Sequence, residues 1–139
     1  MEKIYEAYSA IADGRVAMSE HSAKVASSDC TKEYTVKWEE GTYYSNDNAT
    51  YWQGYAGYPV LAVLMLQGKL ELDLRIAELF KGINWKLLNE KHKSKYSKAA
   101  AEVLDALGEK GTDTEAVVGA AERVFRQLES LDIKLKRGK

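Results

Sequence analysis

The chain has 139 residues, 45% hydrophobic and 29% charged, with one proline and a formal net charge of −1. That length and balance predict a single folded domain over residues 1–139, and the single proline excludes a Pro-rich linker. Near-neutral charge excludes a strong global pull toward nucleic acid or anionic membrane, and the lone Cys30 excludes an intrachain disulfide and Cys₄ or Cys₂His₂ zinc sites.

In chain order, Ile4, Tyr8 and Ile11 recur at helical spacing and Asp13-Gly14 follows as a stop, which predicts a short amphipathic helix over Glu2–Ala12 with a narrow buried face. Residues 15–28 match neither period well and suit an irregular strand or a frayed helix about equally, with a slight lean toward strand. From Glu33 the pattern changes. Tyr34, Val36 and Trp38 alternate with Thr35, Lys37 and Glu39, so large side chains share one face of a strand. Glu40-Gly41 and Ser45-Asn46-Asp47-Asn48 are turn chemistry, and they frame Thr42–Tyr44 and Ala49–Tyr55 as two further strands of an antiparallel meander.

Gln53-Gly54-Tyr55-Ala56-Gly57-Tyr58-Pro59 ends the sheet, and Pro59 suits the first turn of a helix, where its missing N–H is not needed. The run Val60–Leu66 is apolar on every side, so it reads as a central helix covered by neighbours all round, ended by Gly68. Leu72, Ile76, Leu79 and Phe80 predict a second helix up to Gly82. A third spans about 85–108, with Asn84 as its N-cap and Trp85, Leu88, Tyr96, Ala99, Val103 and Leu107 on one side. Thr112-Asp113-Thr114-Glu115 has the pattern of a capping box with Thr112 as cap, opening a last helix. The tail Leu131–Lys136 alternates with period two and either extends that helix or returns as an edge strand. The fold expected is α+β: a small antiparallel sheet of about three strands, residues 33–55, packed against a C-terminal half of four helices, with the short N-terminal helix beside it. The sheet-rich part is expected at about 15–57 and the helical part at about 58–130.

Two clusters invite a functional reading. Tyr34, Trp38, Tyr43, Tyr44, Tyr51, Trp52, Tyr55 and Tyr58 crowd into one segment. Cross-strand packing is the commoner role for such residues, and the alternative is an interaction face formed by Tyr43, Tyr44, Tyr51, Trp52 and Tyr55. Because Glu39, Glu40 and Asp47 lie in the same segment, it should repel phosphates, so a sugar or protein partner fits it better than nucleic acid. The second cluster is Lys91, Lys95 and Lys98, one stripe of the expected third helix and a possible weak phosphate contact, set against neutralisation by Glu102 and Glu109.

Catalytic and cofactor chemistry has little support. His21 and Cys30 would need Asp29 and close approach to form a thiolate pair, His92 lies at the edge of a helix face, and no phosphate-loop or dinucleotide fingerprint occurs. No catalytic, metal or cofactor residue is therefore assigned. The glycine-rich segment before Pro59 is the best single pocket candidate, since backbone N–H groups at a helix start attract anions. Residues 59–82 have helix-turn-helix length, but Glu71, Asp73 and Glu78 make the would-be reading helix acidic. With no secretory signal pattern and no apolar run long enough to span a bilayer, the expectation is a cytoplasmic, non-enzymatic adaptor or complex subunit that docks on a protein partner or on itself. The competing expectation is a nucleic-acid-associated accessory protein.

Overall fold

The computed structural model describes residues 2–47, 49–50, 54–93 and 95–138. Its elements, in order, are α1 (Glu2–Ala12), β1 (Val16–Met18), β2 (Ser22–Ala26), β3 (Glu33–Glu39), β4 (Thr42–Ser45), α2 (Tyr58–Leu66), α3 (Leu74–Glu78), α4 (Trp85–Lys91), α5 (Tyr96–Glu109), α6 (Thr114–Ser130) and β5 (Lys134–Arg137). The class is α+β, as expected, with more helices and more strands than the periodicity predicts. Among the described residues the sheet has five strands in the order β1-β2-β3-β4-β5 and is mixed: β1 to β4 form an antiparallel meander, and β5 lies parallel to β4.

The differences have local causes. The weakly patterned residues 15–28 hold β1 and β2, which extend the meander at its outer edge. The strand expected at Ala49–Tyr55 is not present in its described part. Ala49 and Thr50 sit in a helical turn, begun where the Asp47 carboxylate accepts the Thr50 N–H at 3.1 Å; Tyr51 and Trp52 lie outside the described residues. The alternating tail does return as an edge strand, and Leu135 pairs with Tyr43.

The helix expected over 85–108 is two helices. Between Leu88 and Tyr96 no apolar side chain is available to bind a turn to the core, and tertiary packing is what sustains most helices. The chain turns there instead: His92 caps α4, and Lys93 takes a left-handed φ of 54°. The second helix is likewise shorter than its periodicity, confined to Leu74–Glu78 with Asp73 as N-cap. Asp113, rather than Thr112, caps α6, its side chain accepting the Ala116 N–H at 3.2 Å.

The central helix is where the sequence places it. Pro59 to Met65 are all buried in α2, which packs on α1 and on β1, β3 and β4. Its coverage by α1 explains why the buried face of α1 is broad rather than narrow, since every residue from Ile4 to Ala10 is buried. From the sheet, Ala23, Val25, Val36 and Tyr43 point inward, with Tyr34 and Trp38 half-buried beside them. Behind α1, Phe80 stacks on Tyr5 with ring centroids 5.1 Å apart and lies 5.8 Å from Tyr8, while the Ser9 hydroxyl donates to the Phe80 carbonyl at 2.6 Å. Phe80→Ala would remove a fully buried ring from this junction. We expect a loss of about 3–5 kcal/mol, read as a lowered urea midpoint with an unchanged denaturant slope.

Candidate functional site

Where the N-terminal helix, one end of the sheet and the start of the C-terminal half meet, the surface dips into a cleft of about 270 Å³. It is a seam between elements far apart in sequence. Lys3 and Glu6 come from α1, Arg15 follows it, Ser27, Ser28 and Lys32 belong to the β2–β3 turn, and Tyr34 is on β3. Asp47, Gly57 and Tyr58 lie at the entry to α2, Trp85, Lys86, Asn89 and Glu90 on α4, and Tyr96 opens α5.

Glu6 is 7% exposed on the side of α1 opposite Ile4 and Tyr8, facing Asn89 of α4. Asn89 donates to it at 3.1 Å and the Lys3 ammonium lies 3.7 Å away, yet burial outweighs both and raises its carboxyl above the ordinary range. Opposite, Arg15 donates to Asp13 at 3.0 Å and to the Ala26 carbonyl at 2.6 Å, which ties the guanidinium to the sheet edge. Tyr34 meets Tyr58 edge-to-face at 6.1 Å. Burial raises both phenols, so each keeps its proton at neutral pH and is available as a donor. The Trp85 indole N–H is buried in the wall, and no acceptor meets it among the described residues. Lys3 lies 4.4 Å from the centre of the Tyr96 ring at the mouth.

The far wall is a turn clamped to a helix start. Asp29 accepts from Thr31 twice, at 2.7 and 3.1 Å, from Ser27 at 2.9 Å, and faces Lys86 at 3.4 Å. Those bonds, Thr31 foremost, hold its carboxyl well below the usual carboxylate range. Ser28 accepts the Lys86 backbone N–H at 3.2 Å.

The anion attraction read into the glycine-rich entry to α2 is met by the chain itself. The buried Asp47 carboxylate lies against the start of α2, bonded to the Ser45 hydroxyl and the Thr50 N–H. Gly57 makes this possible, because a Cβ there would fall inside the contact radius of the Asp47 carboxylate.

The candidate residues of the sequence do not assemble into one site. Tyr43 is 1% exposed in the core, where it donates to Gln67 at 2.6 Å, because its strand parity faces the helices. Tyr44 points to the other side of the sheet, Tyr55 is 53% exposed in the loop before α2, and Tyr51 and Trp52 lie outside the described residues. Lys91 ends α4 and pairs with Glu102 at 2.6 Å, Lys95 caps α5, and Lys98 lies within α5, so the three do not form a single helical stripe. Lys91, with His92 at 3.5 Å, lowers the Glu102 carboxyl. His21 and Cys30 sit beyond opposite ends of β2, a strand spanning roughly 17 Å, so they form no dyad. Among the described residues no group of three or more His, Cys, Asp and Glu could hold a metal, and no helix is long and apolar enough to cross a membrane.

In the sequence, the glycine-rich pocket candidate reaches the cleft through Gly57-Tyr58. Glu6 carries no such signal, because it lies opposite the Ile4–Tyr8–Ile11 stripe and only tertiary packing buries it. A raised carboxyl disfavours the native state as pH climbs from the ordinary carboxyl value through the raised one, because the folded form binds the proton more tightly. Gln keeps the acceptor for Asn89 and cannot ionise. Glu6→Gln should therefore match the wild type near pH 4 and exceed it in stability increasingly toward neutral pH, as measured by urea midpoints across that range.

Residues 1–134 match a family model described as Uncharacterised conserved protein UCP014422. No curated protein and no solved structure matches the chain.

Proposed function

The chain belongs to that family, and we propose that it is a non-enzymatic protein-interaction adaptor or complex subunit, working in the cytoplasm, that receives an anchor side chain of a partner in the cleft. The observation that carries this reading is the cleft's make-up. At about 270 Å³ it lies at the small end for a ligand pocket, which suits one inserted side chain better than a large cofactor. Tyr34, Tyr58, Trp85 and Tyr96 line it among mostly polar and charged side chains, and the short helix beside it exposes Leu87, 62% accessible. A small pocket that sets aromatic rings among donors and acceptors suits an inserted anchor side chain. The polar groups favour recognition over turnover: Glu6 is engaged by Asn89 and Lys3, Arg15 by Asp13 and Ala26, and the phenols hold their protons.

The alternative, a nucleic-acid-associated accessory protein working through Lys91, Lys95 and Lys98, draws less support because Lys91 is neutralised by Glu102 and the three lysines divide between two helices.

The test is affinity retention from native lysate after nuclease treatment, with and without the cleft filled by Ser28→Trp. Retention of a defined protein that falls tenfold or more in the filled variant is the expected result. If sedimentation and crosslinking both show a lone monomer, or if filling the cleft changes nothing, the adaptor reading fails.

A further inference from the structure

The two faces of the sheet differ in chemistry. Its inward parity carries the core, and its outward parity carries Lys24 on β2, Glu33, Lys37 and Glu39 on β3, Tyr44 on β4 and Lys134 and Lys136 on β5. The register fixes their relative positions. Lys37 pairs with Tyr44, and Tyr44 pairs with Lys136, so one half-buried aromatic ring lies between two exposed ammonium groups in a row across three strands. Adjacent strands are roughly 4.8 Å apart, so the row spans about 10 Å.

Several observations separate this row from an ordinary solvated face. Lys37, Lys134 and Lys136 enter no ion pair among the described residues, whereas Lys24 is matched to Glu33 at 3.6 Å. Folding lessens the acidity that the linear segment suggests: Asp47 is buried in its own network, Glu33 is paired, and β5 adds two lysines from the far end of the chain, which leaves Glu39 and Glu40 exposed at one end of the face. A shallow groove lies alongside, lined in part by His21, Lys37 and Tyr44. Glu39 and Glu40 line the same groove near the β3–β4 turn, so a polyanion would follow the Lys37–Tyr44–Lys136 row across the sheet and meet Lys134 at the β5 edge, two strands from Glu39.

We propose that this outward face binds a single strand of nucleic acid, with Tyr44 as the platform on which a base stacks and Lys37, Lys134 and Lys136 as the phosphate contacts. A ring flanked by unneutralised cations on an open sheet supplies both components of such binding: stacking tolerant of base identity, and charge neutralisation. The face reads no sequence, because lysine contacts to phosphates position a strand without discriminating bases. It is independent of the cleft, which opens where the helices meet the sheet, and the failure of either assignment leaves the other standing.

The experiment is fluorescence anisotropy of a short, labelled, single-stranded RNA of mixed sequence titrated with the full chain. Affinity should fall with salt at a log–log slope of about −2, from three lysines at about 0.7 each for a single strand. Tyr44→Ala should weaken binding about tenfold and Tyr44→Phe should retain it. Lys37→Glu with Lys136→Glu should abolish it, while Lys91→Glu with Lys98→Glu should leave it unchanged. Because the substituted side chains point away from the core, unchanged urea midpoints will show that the variants remain folded. The proposal is overturned by any of four results: no binding at low salt, loss of binding in the Lys91/Lys98 variant instead, equal affinity for the matching duplex, or displacement by polyglutamate with no effect of Tyr44→Ala. The last would mark a general polyanion face.

Discussion

Pro59 to Met65 form seven consecutive buried residues, so α2 has no side it can leave to water. A helix of that kind cannot be the outer layer of anything, and the remaining elements are arranged to enclose it. The sheet covers one side and α1 the other, and α1 in turn must be buried from Ile4 to Ala10 to do so while presenting its own back to α3, α5 and α6. Apolar surface withdrawn from water stabilises the fold by roughly 25 cal/mol per Å², so enclosing this one segment does much to hold the two halves of the chain together. At the start of α2 the Asp47 carboxylate lies close to the positive end of the helix, and Gly57 leaves room for it.

The cleft is a consequence of that enclosure. Elements that surround a short central helix meet at its ends, and at the end where α2 begins the seam is lined by side chains from α1, β3 and α4 that have no common periodicity. Glu6 shows the cost. Its carboxyl is desolvated on the buried side of α1, and Asn89 from a distant helix with Lys3 from its own partly offsets this. A protein that needed only a core would be more stable with an apolar residue there, so Glu6 marks the seam as a place where the fold gives up stability.

The sheet shows how alternation divides one strand between two roles. Along β4, Tyr43 is turned to the core and Tyr44 to the outside, although the two are adjacent and chemically identical. Aromatic crowding in the sequence is therefore not a single feature. Its inward members are packing, and its outward described member on β4 lies between lysines that come from β3 and from the end of the chain.

The residues alone were enough to specify those features whose physics is local. Alternation over Tyr34–Trp38, apolar saturation over Val60–Met65, Pro59 at a helix start and the turn at Glu40-Gly41 each act within a few residues, and each reappears in the fold. The sequence was silent or misleading wherever the outcome depended on which distant surfaces met. The pairing of β5 with β4 and the assembly of Glu6, Tyr34, Tyr58 and Trp85 around one cleft depend on packing between segments dozens of residues apart, whereas the break between α4 and α5 falls where no apolar side chain occurs between Leu88 and Tyr96. Periodicity and capping act along the chain, whereas burial, register and the neutralisation of charge act across space, and it is the second set that shaped both the cleft and the basic face of the sheet.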